Sequence, residues 1–273
     1  MDASQIHDHW TDWATRYGTD LRATTKSPTA KVLELDALSR HLRAILAGRK
    51  SANVLEVGCG NGINCLALAQ ALPQARFDGV DYVREMVAAA VQSAQSAQQP
   101  NMRFFQGNAL ELDAVAGLDA QYDVVFTDRC LINLDTTEKQ LRALSGLIAR
   151  VRPQGDLVVI ENSRSTYDEQ NRCRQIVGLA PRVPASFNLF FDESAIRAHV
   201  QQLGLELVQV EDFISLHDLV LYVLVPAING GTVDYEHPLV KVAAVLSTGM
   251  SASVPGAFGS FGQNRLFHWR KRG

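Results

Sequence analysis

Val54-Leu55-Glu56-Val57-Gly58-Cys59-Gly60-Asn61-Gly62 decides the fold of this 273-residue chain. A β-branched apolar run ends in three glycines at alternate positions, and an alanine-rich apolar segment, 63–72, follows at once. That order reads as a buried strand, a tight turn and the start of a helix, where bare backbone lets a ligand come close. Further on, a second short strand, Arg76-Phe77-Asp78-Gly79-Val80, ends in Asp81. An acid at that point can accept hydrogen bonds from ribose hydroxyls, so the two signals together describe a site for an adenosine-containing cofactor.

The pattern continues outward from this pair. Strands at 53–57, 76–80, 102–106, 122–127 and 156–161 alternate with helices at 62–72, 83–98 and 136–151 and a short one near 111–117. Such alternation predicts an α/β fold of parallel βαβ units that binds ligands at the carboxyl ends of its strands. Asp192 is a natural N-cap for a helix to 203; 205–210 and 214–225 read as one long or interrupted strand, 236–249 as a helix and 265–269 as a last strand. Ahead of the core, 4–17 suits an aromatic amphipathic helix, and Val32, Leu35, Leu38, Leu42, Ile45 and Leu46 recur at helical spacing. The expected organisation is an N-terminal helical cap, 1–48, and a nucleotide-type domain, 49–273, with insertions near 162–191 and 227–263 that build a substrate pocket or lid.

Composition narrows the function. A hydrophobic content of 47% supports a full core, and a net charge of −3 offers no basic field for nucleic acid. The four cysteines, 59, 65, 130 and 173, have neither zinc-ligand nor disulfide-framework spacing, so no metal is expected and a reducing cytoplasm fits. No apolar run reaches membrane-span length, and no secretory signal opens the chain. The expected partner is a small molecule, with a homodimer allowed.

The glycine spacing is G-x-G-x-G rather than the G-x-G-x-x-G of a dinucleotide site, and Glu56 would repel a pyrophosphate. A carboxylate there suits a cofactor carrying an amine or a sulfonium. Leu55 to Gly62 strongly resembles motif I of the class I S-adenosylmethionine (SAM) dependent methyltransferases. Gly79-Val80-Asp81-Tyr82 with Met86, Arg103 to Ala109, Tyr122 to Arg129 and Val151 to Ile160 resemble the family's later motifs in order. The resemblance implies a Rossmann-like three-layer sandwich, with a mostly parallel seven-stranded sheet, an antiparallel last strand, N-terminal helices and lid insertions. It implies SAM as cofactor and S-adenosylhomocysteine (SAH) as product. By the same resemblance, Glu56, Gly58, Cys59, Gly60, Asn61 and Gly62 lie at the methionine portion, Asp81 at the ribose, and Tyr82 and Met86 against the adenine. Asn108 and Ala109 lie at the adenine amine, Asp128 and Arg129 near the transferred methyl, and Tyr17, with His7 and His9, closes over the cofactor.

Methyl transfer asks the protein to align acceptor, methyl and sulfur and to exclude water; an oxygen acceptor of high pKa also needs a base. The expected catalytic groups are His217, paired with Asp218, together with Asp128 and Glu161 at strand ends. Arg129, Asn171, Arg172, Asn188, Tyr235 and His237 are the expected acceptor contacts, and Arg129, Arg164, Arg172 and Arg174 would suit an anionic group. The reading is methyl transfer to a small polar metabolite or glycosyl intermediate, with oxygen favoured slightly over nitrogen. The alternatives are a non-catalytic SAM-fold binding subunit and a nicotinamide-dependent oxidoreductase.

Overall fold

The computed structural model describes residues 1–251, 253–254 and 256–273. Residues 252 and 255 of the expected lid therefore lie outside the described residues. Seven strands form one sheet: β1 (Ala52–Val57), β2 (Ala75–Asp81), β3 (Met102–Gln106), β4 (Tyr122–Asp128), β5 (Val151–Asn162), β6 (Leu205–Glu211) and β7 (Asn264–Lys271). Their spatial order is β3-β2-β1-β4-β5-β7-β6. The first five pair in parallel, and β7 enters antiparallel between β5 and β6. The chain leaves β1 toward β2 and β3 and then returns to β4 on the other side, so the order reverses between β1 and β4. A crevice opens at the carboxyl ends of strands at such a switch point.

The helices are α1 (Ala3–Tyr17), α2 (Pro28–Ile45), α3 (Ile63–Ala71), α4 (Arg84–Ser96), α5 (Thr137–Arg150), α6 (Arg164–Ile176), α7 (Glu193–Gln202), α8 (Ser215–Leu219), α9 (Val225–Ile228) and α10 (Pro238–Ser251). Because side chains alternate along a strand, each central strand feeds two cores. Val54, Phe77, Phe126 and Ile160 pack under Leu33, Leu38 and Leu42 of α2, with Leu68 of α3 and Ala94 of α4. Leu55, Val125, Leu157 and Trp269 pack on the other face against Leu144 and Leu147 of α5 and Ile196 and Val200 of α7.

Three expectations change. First, residues 1–48 divide: α2 packs on the sheet as part of its layer, while α1 lies over the cavity at its carboxyl edge. The buried face of α2 carries Lys31, Leu33, Glu34, Ala37, Leu38, His41 and Leu42, whereas Val32 is exposed. Second, 214–225 is helical rather than a strand: α8 runs through a π turn, Val220–Leu224, into α9. One face packs into its own cluster, with Leu221, Tyr222, Val225, Val240 and Ala243, and the other exposes Leu224 and Ile228, so the segment lacks the polar face that marks a surface helix. Third, the 162–191 connection contains α6, and Arg174 of α6 donates to the carbonyl of Tyr222 within the π turn.

Ser27 caps α2 by accepting from the Ala30 N–H, and Pro28 occupies the first turn, where its missing donor costs nothing. This start places Lys31 and Glu34 one turn in, at the sheet. Lys31 Nζ lies 2.6 Å from Asp128 Oδ2 at the end of β4 and 2.7 Å from Glu34 Oε2. Removing one member of such a buried set strands the others without a counter-charge. Lys31→Met is therefore expected to lower unfolding free energy by about 3–5 kcal/mol in urea denaturation; an unchanged midpoint would remove the cluster from the stability argument.

Candidate active site

A cavity of about 350 Å³ lies at the carboxyl edge of the sheet, roofed by Ala3, Ile6, His7 and Trp10 of α1. The roof is tied down at several points. Trp10 Nε1 donates to Asn133 Oδ1 (3.2 Å), His9 stacks on Phe187 (4.4 Å) and His7 meets the Tyr82 ring edge-on (4.7 Å). Asn61 Nδ2 donates to the carbonyls of Gly18 and Asp20, which anchors the loop after α1 to the glycine turn.

One half of the cavity is built from the glycine turn and the ends of β2 to β4. Gly58 and Gly60 have φ of +77° and +53°, and a Cβ on Gly58 would sit 2.4 Å from the Cys130 side chain. Only glycine permits both the backbone and the approach. Asp81 accepts from the N–H of Gly60 (2.8 Å) and of Val83 (2.9 Å), one to each carboxylate oxygen. Each oxygen keeps a lone pair, and the side chain lines the cavity with Tyr82, Met86, Asn108 and Ala109. Burial pushes the Asp81 carboxyl above its usual value, against the pull of those N–H groups. Asn108 accepts from the Leu110 N–H (2.9 Å), which fixes the loop after β3.

Beneath this half lies a buried ionic network that sequence reasoning missed. Arg129 takes a left-handed conformation (φ +55°), and its Nε lies 2.8 Å from Glu34 Oε1. Asn264 donates to the same Glu34 oxygen (2.7 Å), and Asn64 bridges Asp128 (3.1 Å) and Glu56 (2.7 Å). Burial alone would raise the Asp128 carboxyl, but Lys31 and Arg129 outweigh it and hold it below the ordinary range. The only sequence signal was an acid and a lysine three apart on the buried side of α2.

The other half is lined by Trp10, Phe187 and Asn188 together with Ser27, Asn162, Ile214, Asp218, Tyr222, Tyr235, Gln263 and Asn264. Of the expected acceptor contacts, Arg129, Asn188 and Tyr235 line the cavity. Asn171 instead bonds the Arg182 backbone, Arg172 pairs with Glu169 at the surface, and His237 accepts from the Leu239 N–H at the start of α10. The expected arginine cluster is likewise engaged elsewhere: Arg164 lies over the Phe190 ring and Arg174 bonds carbonyls.

Several other expected residues stand behind the walls rather than in them. Glu56 is fully buried beneath the turn, accepting from Asn64 and from Cys65 Sγ (3.0 Å), so it anchors α3 instead of facing a sulfonium. Gly62 packs against Ala90 and Phe104, and Tyr17 against Trp13. Glu161 accepts from the N–H groups of Leu131 (2.7 Å) and Ile132 (3.2 Å), a structural cap for the turn after β4. His217 is fully buried with both ring nitrogens occupied: Nδ1 lies 2.8 Å from Asp218 Oδ1 and Nε2 2.8 Å from Thr29 Oγ1. The expected order is thus inverted: Asp218 faces the cavity and His217 holds it from behind, because the helical fold of 215–228 points the histidine into α2.

Residues 54–155 match the protein family described as a methyltransferase domain. Over that stretch the chain carries a methyltransferase domain. It is 34% identical over 123 residues to trans-aconitate 2-methyltransferase of Deinococcus radiodurans, covering 45% of this chain and 43% of that one. It is 27% identical over 116 residues to malonyl-[acyl-carrier protein] O-methyltransferase of Halalkalibacterium halodurans, covering 42% and 41%. The chain thus matches about two fifths of the length of these curated relatives. Magnesium protoporphyrin IX methyltransferase of Synechocystis PCC 6803, solved with bound SAH, shares the fold over 99% of this chain and 100% of its own (TM-score 0.60, 17% identity).

The methyltransferase domain fits its cofactor on the observations above. The turn leaves no Cβ in the way, Asp81 has two free lone pairs, and a hydrophobic slot lined by Met86 and Tyr82 adjoins it. Among the described residues no cluster of three or more His, Cys, Asp or Glu is placed to hold a metal, and no helix is long and apolar enough to cross a membrane.

The buried acids make stability depend on pH in a defined direction. Burial pushes Glu56 from 4.5 to about 8 in the folded protein. Between those values the unfolded chain has released a proton that the native state keeps, so stability falls as pH rises through this window. Glu56→Gln removes the contribution. Its urea midpoint is expected to gain on the wild type between about pH 5 and pH 8; a constant difference between the two proteins would refute the assignment.

Proposed function

We propose that the protein transfers the methyl group of SAM to a small polar acceptor, with an oxygen nucleophile favoured over nitrogen. The observation that carries this reading is the continuity of the cavity: the glycine-turn and Asp81 half opens under α1 into a half with the polar groups of Asn162, Asp218, Gln263 and Asn264. When bound, SAM supplies a methyl carbon on a positive sulfur, open to in-line displacement. The chain's residues align and enclose. Asp81 and the Gly58–Asn61 turn position the cofactor end, and Trp10 and Phe187 close the roof and exclude water. The name of one relative specifies O-methylation, which supports the oxygen preference. The formal charge of −3 supplies no net positive field of the kind that favours nucleic-acid substrates.

Asp81→Ala leaves ribose hydroxyls without acceptors and is expected to weaken SAM and SAH binding by roughly 1–3 kcal/mol in calorimetry; wild-type affinity would overturn the ribose assignment. Radiolabelled methyl transfer from SAM to a metabolite library tests the reaction itself. Tight SAH binding without turnover on any compound would favour a non-catalytic binding role, and binding of NADH but not SAM would favour the oxidoreductase alternative.

A further inference from the structure

The acceptor half has an electrostatic character that the sequence did not suggest. Three of its cations are paired with neighbouring acids. Lys31 lies between Asp128 and Glu34, Arg129 is bound to Glu34, and Lys139 pairs with Asp135 at 2.7 Å. Arg182, just behind the wall, lies flat on the Tyr222 ring, 3.5 Å from its centroid, and spends its donors on Gln170 and Gln263. Lys26 reaches the cavity only from the exposed rim, over Trp13.

Asp218 is placed differently. Its Oδ1 faces His217 Nδ1 at 2.8 Å, and its Oδ2 accepts from the Gln263 N–H at 2.7 Å. No lysine or arginine pairs with it among the described residues. Each oxygen retains a lone pair, and the side chain lines the cavity beside Tyr222 and Tyr235. His217 is in turn held by Thr29 Oγ1, which lies 3.3 Å from Ser27 Oγ, so a hydrogen-bonded chain runs from Asp218 into the start of α2. The carboxylate is thereby fixed in direction with capacity to spare for a ligand.

We propose that Asp218 accepts the hydrogen bond of the acceptor's nucleophilic group, so that the acceptor is an uncharged hydroxyl or amine presented from an aromatic-walled pocket, and not an anion. A carboxylate-bearing ligand would confront Asp218 across a pocket whose lysines and arginines are paired with acids, held by Gln170 and Gln263 behind the wall, or kept at the exposed rim, and would be repelled. A donor O–H or N–H instead completes the carboxylate's bonding, while Trp10, Phe187 and Tyr235 offer flat apolar surface. For a hydroxyl acceptor, an oxygen lone pair forms the O–CH3 bond as the methyl–sulfur bond breaks, with that bond's electron pair leaving on the sulfur of SAH; the O–H proton passes to an Asp218 oxygen, its bonding pair stays on the acceptor oxygen, and the proton later leaves to solvent. Asp218 is then the catalytic residue and His217 its positioning residue. This deepens the methyltransferase reading and separates the chain from the relative that acts on trans-aconitate.

The test uses three probes that share one ring: phenol, aniline and benzoate. Each is titrated into the full-length protein, alone and loaded with SAH, and followed by tryptophan fluorescence. Phenol and aniline are expected to bind roughly ten-fold or more tightly than benzoate, and Asp218→Asn is expected to narrow that gap to about three-fold or less. Benzoate binding as tightly as phenol, an absence of phenol and aniline binding, or an unchanged gap in Asp218→Asn would each overturn the proposal. If Asp218→Asn does not fold, the wild-type ranking alone decides. SAH binding is read separately in the same experiment, so loss of the cofactor reading and loss of the acceptor reading give different results.

Discussion

The pairing of Lys31 with Asp128 and Glu34 is the constraint from which the site is built. It joins the second helix, which precedes the sheet in sequence, to the carboxyl end of β4, which lies at the middle of the sheet. Arg129, Asn64 and Asn264 extend the network to the glycine turn and to the start of β7. Charges taken out of water are tolerated only when each has close partners, so the network holds these elements in one arrangement. The β1–β4 crevice thus has a rigid floor at the point where cofactor and acceptor are to meet.

Above that floor, the two halves of the cavity are made in different ways. The cofactor half is backbone-built: glycines at positive φ, N–H groups turned to Asp81, and loops that follow parallel strands directly. The acceptor half is side-chain-built, from α1, the 186–188 loop, the α8–α9 helical run and the approach to β7. The π turn at Val220–Leu224 shifts the helical register and brings Tyr222 beside Asp218, where burial and then Asp218's charge push its hydroxyl well above the ordinary value. Tyr222 therefore stays protonated next to the acid.

Two acids illustrate how burial decides role. Glu56 and Asp81 both belong to the strand ends that mark the motif, and both were read as cofactor contacts. Asp81 reaches the cavity with lone pairs left, whereas Glu56 is consumed by Asn64 and Cys65 below the turn. Glu161 likewise spends its carboxylate on the N–H groups of Leu131 and Ile132. A carboxylate at a strand end is visible in a sequence; the groups that saturate it come from elsewhere in the chain.

The sequence by itself determined the parallel core of the sheet and the cofactor turn, because each rests on local patterns: short apolar runs, helical spacing and glycines at alternate positions; the antiparallel final strand followed only from the family resemblance. It also placed Asp81, whose position follows from the end of a strand. It placed α2 but missed its buried face, which includes Lys31 and Glu34 and so breaks the apolar rule, and it failed for 215–228, where apolar residues on the exposed as well as the buried face, Leu224 and Ile228 among them, erased the helical periodicity. The inversion of His217 and Asp218 was equally beyond it. Which of two adjacent side chains faces a cavity depends on the rotation of their helix, and that rotation is set by packing against α10, by α6 against the π turn, and by the His217–Thr29 bond to α2. Local backbone preference wrote the cofactor site into the sequence, whereas contacts between distant segments decided the acceptor site.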